Sequence, residues 1–225
     1  MRRNSNDCFV IGAGLSHCVS SEMPVLADLL PVAERVVRSR SPKLVSRLHR
    51  LGRNVELWMS YLAQPHPWLS DADGLYNQSI FSRISEEIAA EVLRRQNLAL
   101  AAPPPDWLLN LIRVWDNQKS PVLSLNYDMI LEKALWTAAR VAYVHAYQIP
   151  TPPIDTRAGR AAYDEEPHPT LRLFKLHGSI NWYYHGPHSQ SAPIYDLVLL
   201  EWQPDSLSTI RERSSAERCH WSSPP

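Results

Sequence analysis

An α/β fold, with a Rossmann-like, mostly parallel sheet, helices on both faces and a mainly helical insertion, is what this 225-residue chain predicts on three observations. Short apolar runs recur, and each stops at a glycine or a polar turn, as buried strands do. Segments with helical spacing of apolar residues alternate with those runs, the pattern of parallel strands joined by crossover helices. Between about residues 54 and 118 only the helical spacing is present, so that stretch reads as the insertion.

Cys8-Phe9-Val10-Ile11 is apolar throughout and ends at Gly12-Ala13-Gly14, as a fully buried strand ends where the backbone must turn. A helix is expected near Ser16 or after Pro24, because Val25-Leu26-Ala27-Asp28-Leu29-Leu30 turns apolar behind a proline suited to a first helical turn. In the insertion, Val55, Trp58, Met59 and Leu62 recur at helical spacing. Ile80, Ile84, Ile88 and Val92 repeat every fourth residue, with Phe81 and Leu93 widening the stripe. These stripes are core. Pro103-Pro104-Pro105 breaks the chain, and Asp106 is expected to cap a helix carrying Leu108, Leu109, Ile112 and Trp115. Pro121-Val122-Leu123-Ser124-Leu125 is a second buried strand, and a helix follows from Met129. Residues 141–149 and 171–176 read as further strands, the proline- and acid-rich segment between them as a loop, and residues 194–200 as a last strand. From about residue 203 the periodicity fades, and that tail reads as irregular or truncated, so residues 1–225 are expected to form a single domain.

Lys+Arg and Asp+Glu are both 23, so no net basic field draws nucleic-acid backbone, and nucleic acid is not an expected partner. The run of Arg35, Arg38, Arg40, Lys43, Arg47, Arg50 and Arg53 reads as a solvated helix surface. Cys8, Cys18 and Cys219 are widely spaced and form no Cys-x-x-Cys pair, so no zinc site is expected and a reducing cytoplasm fits. No stretch approaches the roughly 20 apolar residues of a membrane span, so no membrane partner is expected. The apolar run after Met1-Arg2-Arg3 is short and glycine-bearing, which suits a strand entering a turn better than a signal peptide.

Three turns carry the chemistry. Gly12-Ala13-Gly14-Leu15-Ser16 follows a strand, where glycines let main chain approach a pyrophosphate and helix-start amides and the Ser16 hydroxyl supply donors. The third glycine of the dinucleotide fingerprint would fall at His17, so a tight turn explains the motif equally well. Asn126-Tyr127-Asp128 ends the second strand, where an amide and a carboxylate can grip a carboxamide and a ribose, or Asp128 can simply cap the helix at Met129. His177-Gly178-Ser179 ends the strand at 171–176, where a histidine suits a general base or a structural role.

Taken together, Gly12-Ala13-Gly14-Leu15-Ser16, Ser124-Leu125-Asn126-Tyr127-Asp128 and Lys175-Leu176-His177-Gly178-Ser179 resemble, in order and spacing, the three signatures of the sirtuin-like NAD-hydrolysing family. Met23-Pro24-Val25 resembles the proline turn after the first signature. Asn54-Val55-Glu56-Leu57-Trp58 with Pro67-Trp68 resembles the helical insertion of the bacterial anti-phage-defence branch. The similarity covers about residues 9–182.

The resemblance implies an NAD glycohydrolase that releases nicotinamide and ADP-ribose, with NAD as substrate and no zinc. Gly12, Ala13, Gly14 and Ser16 would line the NAD phosphates, with Gly178 and Ser179 also in the NAD site. Asn126 would hold the nicotinamide ribose and order a water, Asp128 would contact the carboxamide, and His177 would act on the ribose as base. The zinc cysteines of the deacylases are missing, and Leu125 and Tyr127 stand where deacylases carry glutamine and an isoleucine-like residue. A binding module that senses NAD without consuming it, a deacylase and an inactive remnant are the rival expectations. An always-active NAD hydrolase would harm its own cell, so control is expected from a regulatory partner protein, a homo-oligomer or a further segment.

Overall fold

The computed structural model describes residues 7–149, 169–184 and 194–196. Its elements run β1 (Phe9–Ile11), α1 (Ala13–Val19), α2 (Leu26–Arg40), α3 (Pro42–His49), α4 (Val55–Ala63), α5 (Asp71–Leu100), α6 (Asp106–Gln118), β2 (Pro121–Ser124), α7 (Ile130–Ala139), β3 (Arg172–Lys175), β4 (Trp182–Tyr184) and β5 (Ile194–Asp196). The fold is α/β and mostly helical. Its parallel sheet has the order β1-β2-β3, and β4 and β5 form a separate antiparallel pair.

Stepping in one direction along the sheet with right-handed crossovers puts the connecting helices on the same side. The packing follows that rule. Phe9 pairs in register with Val122 and Val122 with Leu173, and these three join one core with Leu108, Ile112 and Trp115 of α6 and Ile130, Ala134 and Leu135 of α7. The opposite row, Val10 beside Leu123 beside Phe174, belongs to no such core, and Val10 is 67% exposed. Helices were expected on both faces; among the described residues they cover one. For the same reason β1 is not the fully buried strand that its apolar run predicts.

A second core lies among the helices α2, α3, α4 and α5, built on Val36, Val37, Leu48, Trp58, Ile80 and Ile84. Local chemistry sets these helices. Asp28 Oδ2 accepts from the Val25 amide at 3.0 Å at the start of α2. Asn54 caps α4 by accepting from Glu56 and Leu57, and Ser70 caps α5 by accepting from the Asp73 amide. Both expected starts, at Ser16 and after Pro24, are in helices, α1 and α2, and α2 continues through Pro31. The 30-residue α5 carries the predicted stripe, and its ends serve different cores: Ile80, Ile84 and Val92 the helical one, Ala99 that of the sheet. Packing thus groups α2 to α5 together and places α6 with the sheet.

Two expectations are corrected. Asp106 does not cap α6; Pro105 is the N-cap residue, already extended at φ −67° and ψ 149°, and Asp106 occupies the first turn, where a carboxylate favours the positive end of the helix. Residues 141–149 are not a strand. Tyr143–His145 form a 3-10 turn, and a single bridge joins Tyr147 to Leu173. Tyr143 and Tyr147 lie four apart with ring centroids at 5.5 Å, a helical spacing hidden within apolar, β-prone composition.

β5 covers the first three residues of the predicted last strand. Residues 197–200, the tail from about 203, Cys219 and most of the loop after residue 149 lie outside the described residues. Among the described residues no helix is long and apolar enough to cross a membrane.

Candidate functional site

Strand register brings the three turns to one edge. Ile11 pairs with Ser124 and Ser124 with Lys175, so the three strands of the sheet end at the same level. The ladder continues one step into the turns: the Leu125 amide donates to Ile11 O at 3.0 Å, and the Leu176 amide to Ser124 O at 2.9 Å. Residues 12–16, 125–129 and 176–180 therefore leave side by side at the carboxyl ends of parallel strands, the position at which open α/β sheets place ligands.

Side chains then join the turns. Asn126 Nδ2 donates to Ser16 Oγ at 2.9 Å across 110 residues of sequence, and both residues are buried. The Asn126 amide donates to Ser124 Oγ at 3.2 Å, which fixes the start of the second turn. Asn126 Oδ1 is buried and has no hydrogen-bond partner among the described residues. A buried amide oxygen left unpaired costs roughly 1–3 kcal/mol, so Asn126 Oδ1 calls for a partner that the described residues do not supply.

The third turn is tied to the second through Tyr127 O, which accepts from the Ile180 amide at 2.9 Å and from Ser179 Oγ at 3.3 Å. Gly178 sits at φ +80°, a left-handed conformation that its turn requires and that an L side chain would strain. His177 is exposed, makes no hydrogen bond among the described residues, and lies with its ring centroid 5.9 Å from that of Tyr127. It shares the rim with Asn126 but is not bonded to it. Tyr127 is 43% exposed as a residue, yet burial pushes its phenol above the ordinary value, and the Glu56 carboxylate near the start of α4 adds to the rise.

The first turn has a different logic. Gly12 is the N-cap of α1 at φ −136° and ψ −172°, extended backbone open to any residue, and Ala13, Gly14 and Ser16 lie in the helix itself. A Cβ built on Gly12 or Gly14 meets nothing within 4 Å among the described residues. Neither backbone conformation nor packing requires glycine at these two positions, and no side chain caps the helix start.

Asp128 is buried, and its Oδ1 accepts from the Ile130 amide at 3.1 Å. The capping role read from the sequence is thus present, one residue before the Met129 N-cap, and it leaves Oδ2 for other work. Behind Asp128 lies a charged cluster to which sequence reasoning assigned no role. Lys175 Nζ donates to the Asp128 carbonyl and lies 3.0 Å from Glu132 Oε1, with the two side chains 1% and 0% exposed. Tyr147 Oη donates to the same Glu132 oxygen at 2.9 Å. From the other side Gln96 Oε1 of α5 accepts from the Met129 amide at 2.6 Å.

Two hollows lie away from this rim. One, on α2, is lined by Pro31, Glu34, Arg35, Arg38 and Ser39; the other, about 110 Å³, is bounded by Val19, Leu98, Pro103 and Ile130 among others. Neither is lined by a turn residue. Among the described residues no group of three or more His, Cys, Asp or Glu is placed to hold a metal ion, and Cys8 and Cys18 are free and exposed. Compared with known proteins, the chain matches no protein-family model and no curated protein.

Proposed function

We propose that this chain is a sirtuin-like, Rossmann-like NAD glycohydrolase that cleaves the nicotinamide–ribose bond, working in the cytoplasm in bacterial anti-phage defence. The observation that carries this reading is the bond from Asn126 to Ser16, which joins the first two turns at one sheet edge and leaves Asn126 Oδ1 a buried acceptor without a partner among the described residues. In the proposed reaction nicotinamide departs with the electron pair of the broken bond and leaves an oxocarbenium-like ribose. A water held by Asn126 Oδ1 bonds to the anomeric carbon and gives up one proton to solvent, and ADP-ribose results. His177 acts as base toward the ribose, a role worth on the order of 10²- to 10⁴-fold. Orientation and electrostatic complementarity supply the remainder. Incubating the purified protein with NAD and resolving the products by chromatography tests this: nicotinamide and ADP-ribose are expected in equal amounts, and intact NAD after prolonged incubation defeats the reading.

The glycines offer an independent test. Gly14 lies in the first turn of α1, where alanine is favoured by up to about 1 kcal/mol and its Cβ meets no neighbour among the described residues. The folded chain has no use for glycine there, whereas a pyrophosphate lying against the main chain does. Gly14→Ala is expected to raise the melting temperature by about 2–4 °C and to weaken NAD binding at least about tenfold, a loss of 1.4 kcal/mol. Thermal denaturation and calorimetric titration with NAD check both halves; unchanged affinity would remove the ligand explanation for the glycine.

A second reading, binding of NAD or ADP-ribose without turnover, draws on the exposed ring of His177, which makes no hydrogen bond among the described residues. Calorimetric NAD binding without nicotinamide release would select it. Restraint of the hydrolase in the cell is assigned to a regulatory partner protein or to a homo-oligomer.

A further inference from the structure

One peptide group in the second turn is held at both ends by buried side chains from distant parts of the chain. The Asp128 carbonyl accepts from Lys175 Nζ, 47 residues later at the end of β3, and the Met129 amide donates to Gln96 Oε1, 33 residues earlier on α5. These are the two halves of a single peptide plane. Asp128 is 7% exposed, Met129 5% and Gln96 0%, so water does not compete for either bond. Met129, at φ −109° and ψ 21°, is the N-cap of α7 and neither helical nor extended, so the plane before it lies outside the helix ladder. The two side chains hold its carbonyl and its amide.

We propose that Gln96 is a positioning residue: with Lys175 it clamps the Asp128–Met129 peptide, and through that plane it sets where Asn126 and Asp128 present their side chains. The inference rests on the NAD-hydrolase reading for its consequence but not for its geometry. Gln96 continues the every-fourth-residue series Ile80, Ile84, Ile88 and Val92, and that series is rooted in the core of α2, α4 and α5. A rotation or shift of α5 in the helical layer therefore reaches the second turn through one hydrogen bond. Gln96 Nε2 is buried without a partner among the described residues, so the acceptor oxygen alone accounts for the glutamine.

The test compares Gln96→Met, which keeps the volume and removes the acceptor, with Gln96→Glu, which keeps an acceptor oxygen and breaks no bond at Nε2. Amide exchange of Met129, read residue by residue by NMR, is measured beside the amides of Val122 and Leu123 in β2. Gln96→Met is expected to speed Met129 exchange about tenfold while the β2 amides hold their rates, the signature of one lost hydrogen bond rather than of global opening. In the NAD assay kcat is expected to fall about tenfold through misplacement of the turn, with KM within about twofold, and Gln96→Glu is expected to keep both exchange and kcat at the parent's level at a pH low enough to hold its buried carboxyl protonated. Unchanged Met129 exchange overturns the clamp. So does equal acceleration in β2, and faster exchange with an unaltered kcat overturns the positioning role. A wild-type protein that leaves NAD intact defeats the hydrolase reading alone, and the exchange rates still decide whether the clamp exists.

Discussion

Asn126→Ala is expected to fold as the parent does and to lose about 10²- to 10³-fold in NAD turnover, the scale seen when one preorganised polar group is removed from an active site. Its stability should fall by about 1 kcal/mol, because the Nδ2 bond is lost and the buried Ser16 hydroxyl is left without that partner, while removal of the unpaired Oδ1 offsets part of the loss. Ser16→Ala separates the two roles of the asparagine. It removes the same bond from the other side and leaves Oδ1 in place, so a smaller loss of kcat is expected than for Asn126→Ala. Equal losses of kcat with KM unchanged, so that no contact of Ser16 with the NAD phosphates is what is lost, would mean that the link between the turns matters and Oδ1 does not. His177→Ala is expected to lose about 10²- to 10⁴-fold as a missing base, with little effect on melting because the ring is exposed. Steady-state nicotinamide release by the purified variants, beside circular dichroism melts, measures all three. Full turnover in Asn126→Ala would sink the assigned water-holding role.

The three strand ends are legible in the sequence because each apolar run stops abruptly at Gly12, Asn126 or His177, and a strand that ends at a turn leaves a local mark. Most of the helices are legible for the same reason, since Ile80, Ile84, Ile88 and Val92 state their period outright. Coverage of the sheet is not, because it follows from the order and direction in which β1, β2 and β3 are crossed, which no window of residues encodes. Residues 141–149 mislead because Val141, Tyr143, Val144 and Tyr147 are β-prone by type while the two tyrosines are spaced for a helical turn. Gln96 left a usable signal: it is the polar member that continues an apolar series at every fourth position, and a polar residue on a buried stripe must find a partner. Lys175 left another, as a charge at the end of an apolar strand, in register with Ser124 and buried beside it. The partners of these two, Met129 and Asp128, are tertiary facts that only the fold supplies.

Lys175→Met is expected to destabilise the protein by about 3–5 kcal/mol, because it leaves the Glu132 carboxylate buried without its cation. In a domain of this size that is roughly 10 °C in melting temperature. The Tyr147 hydroxyl remains on Glu132 Oε1, but one neutral donor does not replace an ammonium, and Oε2 already lacks a partner among the described residues. Glu132→Gln is expected to cost less. It keeps an acceptor for Tyr147, and Lys175 retains the Asp128 carbonyl. The double variant should be more stable than Lys175→Met alone, since no uncompensated charge then stays in the core, and replacing both members of a buried pair is often close to neutral. A double-mutant cycle by urea denaturation reads this as a coupling energy, expected at about 1–3 kcal/mol for groups in contact. Single variants within about 0.5 kcal/mol of the parent, the range of ordinary surface changes, would mean that water reaches the pair and that the buried cluster behind Asp128 does not hold the second turn.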